Sequence, residues 1–554
     1  MGIVRTRRTL LAAAVALVVL PAGAGSAAIP DDPRGNVPAI RVDTLPRAWA
    51  MAGEDDVARA RPLPIPTGWG PNAAEISRAR ELVADLTLRQ RAGQVIHAEY
   101  VGTSSPTGLV NRLHLGGVVV FSGNYRGTEQ IRLSNRTLQQ SAREAGREFP
   151  VAIGVDQEGG LVERVTGGTR LPTFMTAGAA GRPLLTRAAA VASGRELAAL
   201  GFTTDYAPVA DVTLGRADPT IGARSAGVRP RVVAAQTVAA ARGYRSAGVI
   251  STLKHFPGHG SVTADSHLTL PVQQKSVREL AAGDFVPFRA GVDAGLPSVM
   301  VGHIDVRSVD PGTPSSLSRP VVEGLLRGRL GFDGLVVTDS LTMQAVADRF
   351  PSGLAAVRAL RAGADVVLMP VSARGARDGI LRAVQSGRLS SERLAQAATR
   401  QVALLIHQRN QRNQDISPAL PGAGGAASYR WSAAAITSVA GPCQVRLVGG
   451  RVKVTGPGIE VSRFRAAASA AGLAVGRGGT TVRLVGIGGD AVRGDVVVAM
   501  DTPYVLGDSS APVKLATYGT TYGAMAALVD VLLGRRGAPG ALPVPVVGVP
   551  RGGC

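Results

Sequence analysis

Three of the chain's seven histidines fall within fourteen residues, Lys254-His255-Phe256-Pro257-Gly258-His259-Gly260-Ser261-Val262-Thr263-Ala264-Asp265-Ser266-His267. The spacing of His255 and His259 would suit a zinc pair on a helix. Pro257 and Gly258 between them oppose a helix, so the rings need not share a face and no metal is expected. Asp265 and His267 offer different chemistry. In an extended loop, residues i and i+2 lie on one side, so a carboxylate can hold an imidazole by one nitrogen and leave the other free. Such a partner fixes the tautomer and stabilises the protonated ring, making His267 a candidate general acid and base near neutral pH. A loop stabilised by one side-chain hydrogen bond is the plainer account of the same pair. Asp339, in VVTDSLTM, supplies a carboxylate able to attack an acetal carbon such as a sugar's anomeric centre.

These residues need a scaffold that gathers them. From about residue 76 to 410, short Val/Ile-rich runs alternate with longer Ala/Leu/Arg stretches of helical character. The expected strands are Gln94–Ala98, Gly117–Phe121, Val151–Val155, Thr203–Ala207, Val249–Leu253, Ser298–Gly302, Leu335–Thr338 and Asp365–Met369. Eight such runs, each followed by a loop and a helix, predict a (β/α)8 barrel of the TIM type. Reactive side chains then belong at the C-terminal strand ends. Asp156 follows the third run, Lys254-His255 the fifth, His303 the sixth and Asp339 the seventh, so four polar strand ends would converge on one mouth.

The stretch KHFPGHG with DSH at 265–267, DQEGG at 156–160, APVADV at 207–212, IGARSAG at 221–227 and VVTDS at 336–340 resembles glycoside hydrolase family 3, specifically its β-N-acetylglucosaminidase branch. The resemblance covers residues 80 to 405, with the five motifs in the family's order. It implies a retaining double displacement in which Asp339 forms a covalent glycosyl-enzyme and His267, paired with Asp265, acts as acid/base. It also implies that Asp156, Arg164, Arg224, Lys254 and His255 contact the sugar, and that no cofactor is required. Two positions depart from the pattern: Ser261 stands where relatives often carry Asp, and Ala226 where an aromatic is usual.

Residues 411–430, with Pro418, Pro421-Gly422 and Gly424-Gly425, read as a linker. Beyond them, Val445–Val448, Val482–Val485, Val496–Met500 and a helical stretch from Tyr522 to Leu533 predict a smaller C-terminal α/β domain over 431–554. DTPY at 501–504, LATYG at 515–519 and LPVPV at 542–546 also resemble the family's second domain. Gly486-Ile487-Gly488-Gly489 reads as a turn, because no suitable acidic residue follows to complete a dinucleotide site. Cys443 and Cys554, the only cysteines, could pair in an oxidising compartment.

At 554 residues with 45% hydrophobic content, the chain can bury a large core and is not wholly disordered. Its formal charge of +21 comes from arginine almost entirely. That charge suits an anionic cell wall, whereas aromatics at 4% and the lack of basic runs interleaved with them argue against nucleic acid. Arg5, Arg7 and Arg8 before the apolar run Leu10–Leu20 have the layout of an export signal over 1–28, by the Sec or twin-arginine route. Residues 29–75 read as an extended approach segment, and no transmembrane span is expected. The reading reached is a secreted or wall-associated exo-β-N-acetylglucosaminidase acting on cell-wall fragments, muropeptides or other glycans. A phosphorylase that passes the glycosyl group to phosphate is the alternative enzyme, separable by phosphate dependence. A non-catalytic glycan- or wall-binding protein is the third reading, separable by binding without turnover.

Overall fold

The computed structural model describes residues 68–415, 419–489, 493–550 and Gly552. The expected export signal, most of the approach segment and Cys554 lie outside them. Among the described residues, no helix is long and apolar enough to cross a membrane.

Eight parallel strands form the first sheet: β1 (Ile96–Glu99), β2 (Gly117–Val120), β3 (Ala152–Val155), β4 (Thr204–Asp205), β5 (Ile250–Phe256), β6 (Ser298–Val301), β7 (Leu335–Thr338) and β8 (Val367–Leu368). Each pairs with the next around the ring as far as β7. β8 returns to β1 through Ile96↔Val367 and His97↔Leu368, and Val337↔Val366 bridges the remaining gap, closing the barrel. Strands such as β2 and β3 are buried along their whole length. Both faces of a barrel strand are covered, so such strands read as continuous apolar runs rather than alternating ones.

The surrounding helices follow from local signals. Thr128–Glu144 buries Ile131, Ser134, Asn135, Leu138 and Ala142, a three-and-four spacing that lays one stripe on the sheet. Ala73–Ala84 and Leu88–Gln94 open with capping boxes, Asn72 with Glu75 and Thr87 with Gln90. An N-cap of this kind stabilises its helix by about 1 kcal/mol. The long helix Ser391–Asp415 packs on Ala73–Ala84 and sends Gln401, Leu404 and Leu405 under the barrel floor. With His97, Tyr206, Thr252 and Val337 they leave a void of only about 10 Å³, so the interior is packed core rather than pore. Gly154 is required there, because a Cβ would run into the Tyr206 ring.

The second sheet has six strands: β9 (Thr437–Ala440), β10 (Arg451–Thr455), β11 (Ala474–Val475), β12 (Thr480–Val485), β13 (Val496–Ala499) and β14 (Val513–Ala516). Their order is β9-β14-β13-β12-β10-β11, all parallel except β9 against β14. Helices Gly425–Ala435, Gly458–Ala470 and Tyr522–Leu532 cover this sheet, completing the α/β domain. Helix Gly425–Ala435 starts inside the stretch read as a linker, and Ser391–Asp415 runs into it from the other side.

Two expectations are corrected. Lys254 and His255 do not follow the fifth strand but lie within it, since β5 extends to Phe256. Val445–Val448 is not a strand: Gln444 takes a positive φ of 56° just after Pro442, and the local strand is instead Arg451–Thr455. Cys443 is disulfide-bonded, and no described cysteine is free.

Candidate active site

The C-terminal ends of the barrel strands carry a connected set of charges. Lys254, on β5 and 2% exposed at its side chain, donates to Asp156 Oδ1 at 2.6 Å and sits 2.7 Å from Glu158 Oε1. Arg224, from the turn Gly222–Arg224, grips Glu158 with two parallel hydrogen bonds of 2.8 Å. Paired, charge-assisted contacts of this kind fix geometry as well as charge. Burial raises the Glu158 carboxyl, but Arg224 and Lys254 outweigh it and hold the group well below the usual carboxylate range. Burial likewise opposes the charged Lys254 ammonium, yet Asp156 and Glu158 keep it raised.

Asp211, fully buried after β4, organises the next segment. It accepts from the His255 ring at 2.7 Å, from the His255 amide at 3.2 Å and from the His259 amide at 2.7 Å. His255 Nδ1 is thereby held, and its Nε2 makes no hydrogen bond to a described residue. His259 Nε2 pairs with Ser266 Oγ at 2.7 Å, tying the loop that ends at His267 back to the barrel. Burial, then the neighbouring His255, lowers the His259 pKa. The two rings lie 5.9 Å apart edge to face. Among the described residues no group of three or more His, Cys, Asp or Glu side chains could hold a metal ion.

Asp339 follows β7. Its amide donates to Val301 O at 2.8 Å, and its Oδ1 accepts from the Ser340 amide at 2.8 Å, so the carboxylate is fixed against its own loop. Burial alone would raise its pKa. His255, His303, the Ser340 N–H and Lys254 reverse that and keep it below the ordinary carboxylate value. His303 stands behind Asp339, donating from Nε2 to Ser340 O at 2.8 Å and sharing a hydrogen bond of 2.7 Å between Nδ1 and Ser316 Oγ. Burial lowers the His303 pKa, with the Asp339 charge and the Ser340 carbonyl acting against it.

The Asp265–His267 pair lies on the loop after β5. Asp265 Oδ1 is 2.7 Å from His267 Nδ1 and accepts the His267 amide at 2.9 Å. The His267 side chain is 62% exposed, so the ring held by Asp265 is open to solvent. Burial would raise Asp265, but the backbone and ring of His267 keep its pKa low. Ser266 O accepts from Ala345 N at 3.4 Å, which joins this loop to the one that begins at Asp339.

Of the residues expected from sequence, Asp156, Arg224, Lys254 and His255 enter one network, while Asp265, His267 and Asp339 stand on loops linked to it. Arg164 does not join by hydrogen bonds: its guanidinium lies 5.2 Å over the Phe121 ring at the end of β2. Glu158, Asp211 and Ser266 were not singled out, and His259 only as half of a zinc pair set aside, although all four sit inside the quoted motifs. Ser261, at the position often Asp in relatives, accepts from Gln273 at 2.7 Å and lies beside buried Asp284. A carboxylate at 261 would face that second acid. Ala226 is fully buried against the helix Met175–Ala180, where no aromatic ring would fit.

The family profile described as glycosyl hydrolase family 3 N terminal domain matches residues 87–404. Beta-hexosaminidase A of Pseudoalteromonas piscicida is 32% identical over 319 residues, covering 53% of this chain and 53% of that relative. The chain thus spans about half the length of that relative. A beta-hexosaminidase of Thiobacillus denitrificans is 39% identical over 264 residues, covering 46% of this chain and 71% of the relative. Among solved structures, a glycoside hydrolase family 3 beta-N-acetylglucosaminidase from Paenibacillus sp. superposes with a TM-score of 0.75 at 30% identity, covering 83% of this chain and 99% of that one.

Proposed function

The chain belongs to glycosyl hydrolase family 3, and from that premise we propose that it is a glycosidase, a secreted, retaining exo-β-N-acetylglucosaminidase acting on cell-wall fragments or other glycans. The observation that carries this reading is the pairing of an ionised, backbone-pinned Asp339 with an exposed His267 held by Asp265 on an adjoining loop. In the first step an Asp339 oxygen bonds to the anomeric carbon while the C–O bond to the aglycone breaks, and His267 Nε2 gives its proton to the departing oxygen. In the second, water loses a proton to His267 and attacks the same carbon, freeing GlcNAc and Asp339. Most retaining glycosidases use two carboxylates for these tasks. An imidazole instead returns to neutrality after donating its proton, so no second negative charge builds up beside Asp339 and the acetamido group. Asp156, Lys254, Arg224, Arg164 and His255 provide the donors and acceptors to orient the sugar. The basic N-terminal segment and the charge of +21 support export and association with an anionic wall.

The test is chromophore release from aryl β-GlcNAc and aryl β-glucoside by wild type and Asp339→Asn, in phosphate and in phosphate-free buffer. Cleavage of the GlcNAc substrate by wild type alone, indifferent to phosphate, is expected. Turnover that requires phosphate would make the protein a phosphorylase. Binding of GlcNAc with no turnover would make it a glycan-binding protein.

A further inference from the structure

We propose that the second domain positions the sugar-gripping side of the pocket, setting the loops of Glu158 and Arg224 through two of its backbone carbonyls, those of Tyr518 and Pro543. The proposal rests on the glycosidase reading for its kinetic test alone.

The first contact reaches Glu158. Tyr518 O accepts three hydrogen bonds from one barrel segment: from Thr173 N at 3.1 Å, Thr173 Oγ1 at 2.7 Å and Thr176 Oγ1 at 3.3 Å. The direction of that carbonyl is set, because Tyr518 is fully buried, takes a φ of 54° and donates its hydroxyl to Thr437 Oγ1 at 2.9 Å. Segment 171–173 in turn supports the DQEGG loop: Gly160 N donates to Leu171 O at 2.9 Å, and Gly159 and Gly160 pack so closely on Pro172 and Thr173 that neither admits a side chain. Gly519 closes on Pro172 from the second-domain side.

The second contact reaches Arg224. Val228 N donates to Pro543 O at 3.1 Å, and Gly227 lies against the same carbonyl. Ser225 Oγ donates to Asp211 O at 2.7 Å, so the segment following Arg224 is held on both sides. Helix Met175–Ala180 lies between the two contacts and shares an apolar cluster with Leu506, Tyr518, Leu542 and Val544 of the second domain. Glu158 and Arg224 come from loops 66 residues apart, and their double hydrogen bond forms only when both loops are in register. Thr173 and Thr176 are therefore positioning residues, remote from the reacting atoms.

The experiment uses the full chain with Thr173→Val/Thr176→Val, which removes two of the three donors to Tyr518 O. KM for aryl β-GlcNAc is expected to rise about tenfold with kcat within about twofold, since ground-state and transition-state grip weaken together. Thr173→Ser/Thr176→Ser should restore KM. Amide hydrogen exchange across residues 156–164 should quicken in the valine variant. Gly519→Ala, which pushes on Pro172 without altering a barrel residue, should act in the same direction, and it decides the matter if the double variant does not fold. Folded variants with wild-type KM and wild-type exchange overturn the proposal, as does a fall in kcat at constant KM. Should wild type cleave no GlcNAc substrate, the glycosidase reading fails and the exchange measurement alone judges the positioning role.

Discussion

The barrel holds two buried charge clusters, one at each end, built from the same side-chain types. At the N-terminal end, Asp365 accepts from Arg327 at 2.7 Å, Arg393 at 2.9 Å and Arg400 at 3.1 Å, and all four side chains are at most 2% exposed. Arg327 also donates to Phe332 O, Gly334 O and Gly363 O, and Arg393 to Leu360 O and Ala364 O. Those bonds fasten the turns under the barrel. At the C-terminal end, Asp156 and Arg224 keep 20% and 14% of their side-chain surface, and Asp339 and His255 each retain a polar atom with no described hydrogen-bond partner. The lower cluster is sealed from solvent, even where Arg400 leaves Nε and Nη2 without a hydrogen-bond partner, whereas the upper one keeps surface that a ligand can meet. Buried ionic groups therefore reveal a role by what they leave open, and charge content alone does not distinguish the two ends.

The contrast can be broken by substitution. Asp339→Asn should cut kcat by roughly 10³-fold or more with unchanged thermal unfolding, measured on aryl β-GlcNAc. Asp365→Asn should do the reverse: a loss of about 3–5 kcal/mol in denaturant unfolding, because three guanidiniums lose their common carboxylate, with kcat per folded molecule preserved. Equal effects of the two substitutions on both readouts would erase the distinction. His267→Ala should slow turnover roughly 10²-fold, less on aryl glycosides with good leaving groups, whose departure needs little proton donation.

The smallest effect concerns acid. Burial opposes the Asp365 charge, but Arg400, Arg327 and Arg393 hold its pKa below the ordinary value. A carboxylate depressed in the folded state contributes stability that is complete above its unfolded pKa of about 3.9 and lost as pH falls through the folded value. The stability gap between wild type and Asp365→Asn should therefore be full at pH 7 and shrink at pH 3, as read by denaturant titration at both. A gap that widens in acid would mean that Asp365 is not held as the charged form.

Barrel strands such as β2 and β3 were legible because a strand covered on both faces is largely apolar and stands out against Ala/Arg-rich helices, whereas β4, only Thr204–Asp205, carries buried polar residues and is marked by its place in the alternation. The same signal failed at Val445–Val448, a run interrupted by Arg446, which donates to Val448 O and Gly449 O, and preceded by Gln444 at positive φ; it passed over Arg451–Thr455, whose alternating charges mark a half-exposed strand. Lys254 and His255 looked like strand terminators because polar residues usually end such runs; here Asp211, Asp156 and Glu158 receive them inside the strand. Asp339, Asp265 and His267 could be named from residue type and spacing. Glu158 could not, since its partner Arg224 lies 66 residues away and only the closed ring brings them together. A second carboxylate two residues beyond Asp156 was the available hint.

The hydrogen bond from Thr173 to the Tyr518 carbonyl spans 345 residues of chain. At a translation rate of about 5–20 residues per second, the acceptor is made roughly 20–70 s after its donor. The strand that closes the ring, Val367–Leu368, is made well before then. During synthesis the barrel wall can thus be complete while the DQEGG loop still lacks its outer support. A product released before Tyr518 is added would contain every barrel strand, together with Asp156, Glu158 and Arg224, but not the carbonyl on which that loop rests.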